Sequence, residues 1–146
     1  MSAADDIVRF FHAVDDRDWD TVRAGLTGTV DTDYTSLFGG DPERLAADAL
    51  VDRWRGLLPG FDGTQHLLGP IVVTPGDGGR ATADCNVRGY HRLDGATWMV
   101  AGRYTLTLHR TDGTWQVAGI VLRTTYQDGD PALAERAASR ASGGQE

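Results

Sequence analysis

Residues 80–93 alternate apolar and polar side chains with hardly a break. Ala81, Ala83, Cys85, Val87, Gly89, His91 and Leu93 fall on one side. Thr82, Asp84, Asn86, Arg88, Tyr90 and Arg92 fall on the other. A period of two marks a strand with one buried face. Asp94-Gly95 then turns the chain, and Trp98, Val100, Gly102, Tyr104, Leu106 and Leu108 form a second inward set. Asp112-Gly113 predicts another tight hairpin. Residues 115–126 are apolar on both faces, as in a central or helix-covered strand. Upstream, His66, Leu68, Pro70 and Val72 share a face, followed by a glycine-rich turn at residues 76–79. The second half of the chain is therefore expected to be an antiparallel meander, with His66 and His91 both facing inward.

The first half reads differently. Ile7, Phe10, Phe11 and Val14 recur at helical spacing, which predicts a helix over about Ala3 to Asp16. Asp15 falls at the edge of its apolar stripe, and Asp16 points to water. Asp18 or Asp20 caps a short second helix carrying Trp19, Val22 and Leu26. Residues 30–37 alternate as a short strand with Tyr34 inward. Asp41 and Pro42 then open a third helix along Ala46, Leu50, Trp54 and Leu57, ending at Pro59-Gly60. The order of elements predicts an α+β domain: a curved, cone-shaped antiparallel or mixed β-sheet packed against three N-terminal helices. Such a cone has a mouth suited to a small ligand.

The 146 residues fit one domain, placed at residues 1–140, with 141–146 as a disordered tail. A net charge of −7 leaves no basic patch for nucleic acid or an anionic membrane. A single cysteine, Cys85, allows no internal disulfide, and the first residues lack the basic start and apolar run of a signal peptide. The expected location is cytoplasmic. Val117, Val121 and Met99 are expected on the outer sheet face, where they would support a homo-oligomer, dimer or trimer.

Several stretches carry a resemblance: Asp15-Asp16-Arg17-Asp18-Trp19-Asp20, Asp33-Tyr34-Thr35-Ser36, Thr64-Gln65-His66, and Asp112-Gly113-Thr114-Trp115 followed by Ala118-Gly119. Over residues 6–126 the chain resembles the SnoaL-like group of the nuclear transport factor 2-like superfamily, and within it the scytalone dehydratases. The resemblance implies that His66 and His91 are the two active-site histidines. It implies that Asp15 is the helix carboxylate orienting an imidazole, and that Tyr34 is one of two tyrosines that hold a water against a substrate carbonyl. The second tyrosine position is Val14 here. The serine and asparagine that position substrate in that family fall on Gly102 and Tyr104. Trp54 completes the expected substrate wall.

Two imidazoles facing one pocket suit proton abstraction α to a carbonyl with loss of a β leaving group. A carboxylate on one ring nitrogen fixes the tautomer. The expectation is a lyase or isomerase, dehydratase-like, acting on a small hydrophobic ring or polyketide-like compound. Asp15, Tyr34, His66 and His91 would be catalytic, with no cofactor and no metal. Asp15 and His91 would form one dyad with His66 as the second acid–base group, and which histidine Asp15 holds is open, since the resemblance implies both arrangements. The alternatives are a non-catalytic small-molecule-binding member of the same fold and an epoxide-hydrolase-like enzyme.

Overall fold

A computed structural model describes residues 2–143. The first helix, α1 (Ala3–Asp16), begins where the Ser2 hydroxyl accepts the Asp5 N–H. Asp5 and Asp6 in its first turn complement the helix dipole. It ends because Arg17 adopts a left-handed conformation (φ 59°), which returns the Arg17 and Asp18 N–H groups to the Val14 and Ala13 carbonyls. Ile7, Phe10, Phe11 and Val14 are buried as their spacing predicts. The second helix, α2 (Trp19–Ala24), is capped by Asp18, which accepts the Thr21 N–H and hydroxyl.

Two expectations for the next stretch need correction. The strand β1 (Leu26–Asp33) starts earlier than its alternation suggests and stops before Tyr34. Asp33 accepts both the N–H and the hydroxyl of Thr35, turning the chain into a single helical turn, α3 (Thr35–Phe38). Tyr34 therefore precedes a helix and does not sit in a strand. The expected helix from Pro42 is also shorter. Glu43–Ala46 pairs with β1 as β2, with an exposed Arg44–Asp31 ion pair at 2.7 Å across the two strands. Only Ala47–Arg55 is helical (α4), and its buried stripe is Ala47, Leu50 and Val51. A 3-10 turn at Leu58–Gly60 follows.

The remaining strands are β3 (Gly63–Leu68), β4 (Val72–Pro75), β5 (Arg80–Leu93), β6 (Ala96–Thr111) and β7 (Thr114–Gly129). Their order is β2-β1-β7-β6-β5-β3, with β4 also on β5, so the mixed sheet is open and β7 is internal. Both hairpin turns put Asp and Gly at positive φ: Asp94 and Gly95 at 51° and 78°, Asp112 and Gly113 at 53° and 80°. Those values suit a tight two-residue turn between twisted strands. The β7 register slips by one residue between Ala101 and Gly102, and again between Thr107 and Leu108. Each bulge bends the strand and swaps its faces. This explains why β7 reads as apolar on both sides, and why the sheet curves around α1.

Part of the expected outer face is overturned, at Val117 by this swap. Val117, paired with Leu108 beyond the second bulge, is only 2% exposed, and Met99 is buried as well. Residues 69–71 add one residue between β3 and β4, so Val72 points out (63% exposed) and Val73 packs inward. The last helix, α5 (Leu133–Gly143), continues through residues 141–143, where the sequence predicts a disordered tail. The rest of that tail lies outside the described residues. No described helix is long and apolar enough to cross a membrane.

Candidate active site

The α1 helix delivers Asp15 to the edge of the sheet. Because β3 is an edge strand, the His66 N–H has no ladder partner, and Asp15 Oδ2 accepts it at 2.7 Å. Asp15 Oδ1 lies 2.7 Å from His66 Nδ1 and also accepts the Thr64 hydroxyl at 3.1 Å. Both side chains are largely buried, at 15% exposure for Asp15 and 13% for His66. Burial alone would raise the Asp15 pKa. The His66 ring, the His66 N–H and the Thr64 hydroxyl outweigh it and hold the carboxyl below its ordinary value. An ionised carboxylate only accepts, so in the neutral ring Nδ1 carries the His66 proton and Nε2 presents a lone pair. The carboxylate therefore belongs to His66 and not to His91, which decides the pairing that the sequence leaves open.

His91 is held by other means. Its register partner across β5 and β6 is Trp98, whose carbonyl lies 3.0 Å from Nδ1. A carbonyl also only accepts, so His91 carries its proton on Nδ1. Trp98 stacks on the ring at 4.5 Å and 28°, and Phe61 packs at 5.0 Å. Burial in this aromatic setting lowers the His91 pKa to about 4, which keeps the ring neutral near pH 7.

Gly89 separates the two rings. It is the register partner of His66 and lies two residues before His91 on the inner face of β5. The ring centroids are 6.5 Å apart at 78°. A Cβ at Gly89 would lie 3.5 Å from His91 Cε1 and 3.9 Å from His66 Nε2. The missing side chain keeps the space between the imidazoles open.

That space opens into a largely apolar cavity. His66, His91, Tyr34, Tyr104, Val14 and Trp54 all line it. Asp15 stands behind His66 and is not part of the lining. Gly102 is not part of it either: it lines a groove on the outer face, and a Cβ there would lie 2.5 Å from the Arg123 carbonyl oxygen. Its lack of a side chain serves close strand packing beside the bulge, in place of the substrate contact expected. Tyr104 stacks on Phe11 at 5.0 Å, and burial raises the pKa of both tyrosines. Among the described residues, Arg17 Nε is the one sealed side-chain polar atom without a partner. Among the described residues the Tyr34 and Tyr104 hydroxyls and the two histidine Nε2 atoms have no hydrogen-bond partner either, and all four side chains line the cavity. No three His, Cys, Asp or Glu side chains among the described residues are grouped as metal ligands.

Sequence reasoning missed Gly89, Trp98 and Phe38 as parts of this site. Gly89 left a signal, a bare position on a face otherwise carrying side chains. Trp98 acts through its carbonyl, which no side-chain pattern reports. Phe38, 59% exposed, meets Trp98 edge-on at 6.5 Å from the single turn α3 that the sequence had concealed.

An open, bulged sheet wrapped on helices, with ionisable groups at the base of an apolar cavity, defines the nuclear transport factor 2-like class. A family model for the SnoaL-like domain matches residues 4–120, and the chain belongs to that family. It is 30% identical over 138 residues to Dehydratase GME11372 of Pestalotiopsis microspora, covering 81% of this chain and 86% of that one. Its fold is similar to the crystal structure of the Kfla4162 protein from Kribbella flavida, with TM-score 0.81, 26% identity, and coverage of 92% and 93% of the two chains. A scytalone dehydratase candidate from Novosphingobium aromaticivorans shares the fold at TM-score 0.74 and 20% identity, over 87% of this chain and 84% of that one.

Proposed function

We propose that this chain is a dehydratase that eliminates water from a small, ring-containing β-hydroxy carbonyl compound by acid–base catalysis. The carrying observation is the Asp15–His66 pair, with its free Nε2 opening into the apolar cavity. The dehydratase relative adds support for the reaction class. His66 Nε2 takes the proton α to the carbonyl, and the electron pair forms an enolate. Asp15 stabilises the resulting imidazolium. The Tyr34 and Tyr104 hydroxyls donate to the enolate oxygen. The C–O bond to the β-hydroxyl then breaks, and the departing oxygen takes the proton back from His66 Nε2. The products are an enone and water. Nothing is oxidised or reduced, so no redox partner is required.

A suitable probe is 3-hydroxy-1-tetralone, whose dehydration and tautomerisation give fluorescent 1-naphthol. Wild type should release naphthol, and His66→Ala should be slower by roughly 10²-fold or more while staying folded. Equal rates for the two proteins, or no turnover by wild type across a panel of cyclic β-hydroxy ketones, would overturn the reading.

A further inference from the structure

We infer that His91 does not move a proton but reads the ligand: its Nε2 lone pair accepts a hydrogen bond from a ligand hydroxyl, while Asp15–His66 alone shuttles the proton. For the reaction this rests on the function proposed above. As a statement about binding it stands without it.

Three observations carry the inference. First, the Trp98 carbonyl, 3.0 Å away, occupies the Nδ1–H, so the face His91 turns to the cavity has a lone pair and no proton to give. Second, the ring cannot readily exchange that arrangement for another. It is clamped between Trp98 at 4.5 Å and Phe61 at 5.0 Å, and the Trp98 indole is itself tied to the Gln127 side-chain oxygen at 2.8 Å. Third, among the described residues no carboxylate is hydrogen-bonded to His91 to support a positive charge. Asp15 spends both oxygens on His66 and Thr64. The depressed pKa agrees with this geometry.

Apart from the His66 Nε2 that takes the proton, the other polar side-chain atoms of the cavity have the opposite character. Tyr34 and Tyr104 line the cavity and offer hydroxyl donors that no described residue engages. The ligand class follows: an apolar ring compound with one oxygen that accepts, placed at the tyrosines, and a hydroxyl that donates, placed at His91. A methyl ether or a deoxy analogue would leave the His91 lone pair buried and unpaired.

Ring-nitrogen NMR of ¹⁵N-histidine-labelled full-length protein tests the tautomer with no ligand present. At pH 7 His91 should show a protonated Nδ1 and a bare Nε2, and a proton on Nε2 would overturn the inference. Binding of 2-naphthol against 2-methoxynaphthalene tests the reading. Wild type should prefer the naphthol by about 10-fold. His91→Gln, which places an amide oxygen near the Nε2 position, should keep most of that preference, and His91→Leu should lose it. A preference that survives in His91→Leu would overturn the inference.

With 3-hydroxy-1-tetralone, His91→Gln should retain kcat within about 10-fold. A loss of 10²-fold or more, matching His66→Ala, would make His91 a proton carrier. That failure would leave the dehydratase reading intact. A hydroxyl preference without any turnover would do the reverse.

Discussion

At the scale of single residues, the two histidines have the same chemistry and different surroundings. His66 faces a carboxylate and can hold a positive charge. His91 faces a carbonyl and two aromatic rings, and cannot do so cheaply. This difference is visible in stability. An imidazole in the unfolded chain titrates near 6.5, and folded His91 near 4. Between those values the unfolded chain binds a proton that the folded one refuses. The contribution is complete above about pH 6.5 and is lost as pH falls toward 4, by about 3 kcal/mol in total. Asp15 acts in the same direction lower down, since its folded carboxyl sits below the ordinary 3.8 and its contribution fades as pH falls through that region. Urea unfolding should therefore show wild type losing more stability than His91→Gln between pH 6.5 and 4.5, and parallel pH curves would contradict this. Asp15→Asn keeps shape but removes the charge. Because Asp15 is not in the cavity wall, kcat should fall by roughly 10²-fold with KM nearly unchanged. A rise in KM alone would make it a binding residue.

At the scale of elements, the legible parts of the sequence were those where local pattern and final packing coincide. β5 alternates cleanly because both ends are set by glycine turns and one face is buried throughout. That alternation placed His91 inside, and the same reasoning on β3 placed His66. The partner of Asp15 was not legible, because it depends on where α1 crosses the edge of the sheet. β2 was hidden because Glu43–Ala46 has helix-compatible residues, and its strand form rests on backbone pairing with β1, which no local pattern reports. β7 misled because bulges exchange its faces, which is what buried Val117. Gly89 belongs to this scale too. A Cβ there meets its neighbours at ordinary contact distances, so Gly89→Ala should fold with little change in Tm. It would nevertheless fill the gap between the imidazoles, and turnover of 3-hydroxy-1-tetralone should fall at least about 10-fold. Unchanged turnover would show that ligands do not enter between the rings.

At the scale of the whole molecule, the cavity depends on parts remote in sequence. Arg17, just past α1, donates to the Leu58 and Phe61 carbonyls at 3.1 and 2.6 Å and holds the turn that carries Phe61 against His91. On the other side α5 packs over that turn so closely that a Cβ at Gly60 would collide with the Ala137 backbone. Arg136 and Arg140 add ion pairs to Asp94 and Asp62, exposed enough to contribute little. Docking of α5 therefore rests on close packing at Gly60 and on buried Leu133 and Ala137. Gly60→Ala should cost about 1–3 kcal/mol and speed amide exchange in α5. Unaltered exchange in α5 would show that the helix docks by other contacts.

The central claim is that Asp15–His66 is a working base at the bottom of this cavity. Its most direct test is deuterium uptake at C2 of 1-tetralone, a ketone with no leaving group, followed by NMR in D₂O. The account predicts uptake with wild type and at least a 10²-fold slower uptake with His66→Ala. Uptake that His66→Ala leaves undiminished, or none with wild type when 1-tetralone is seen to bind, would contradict it.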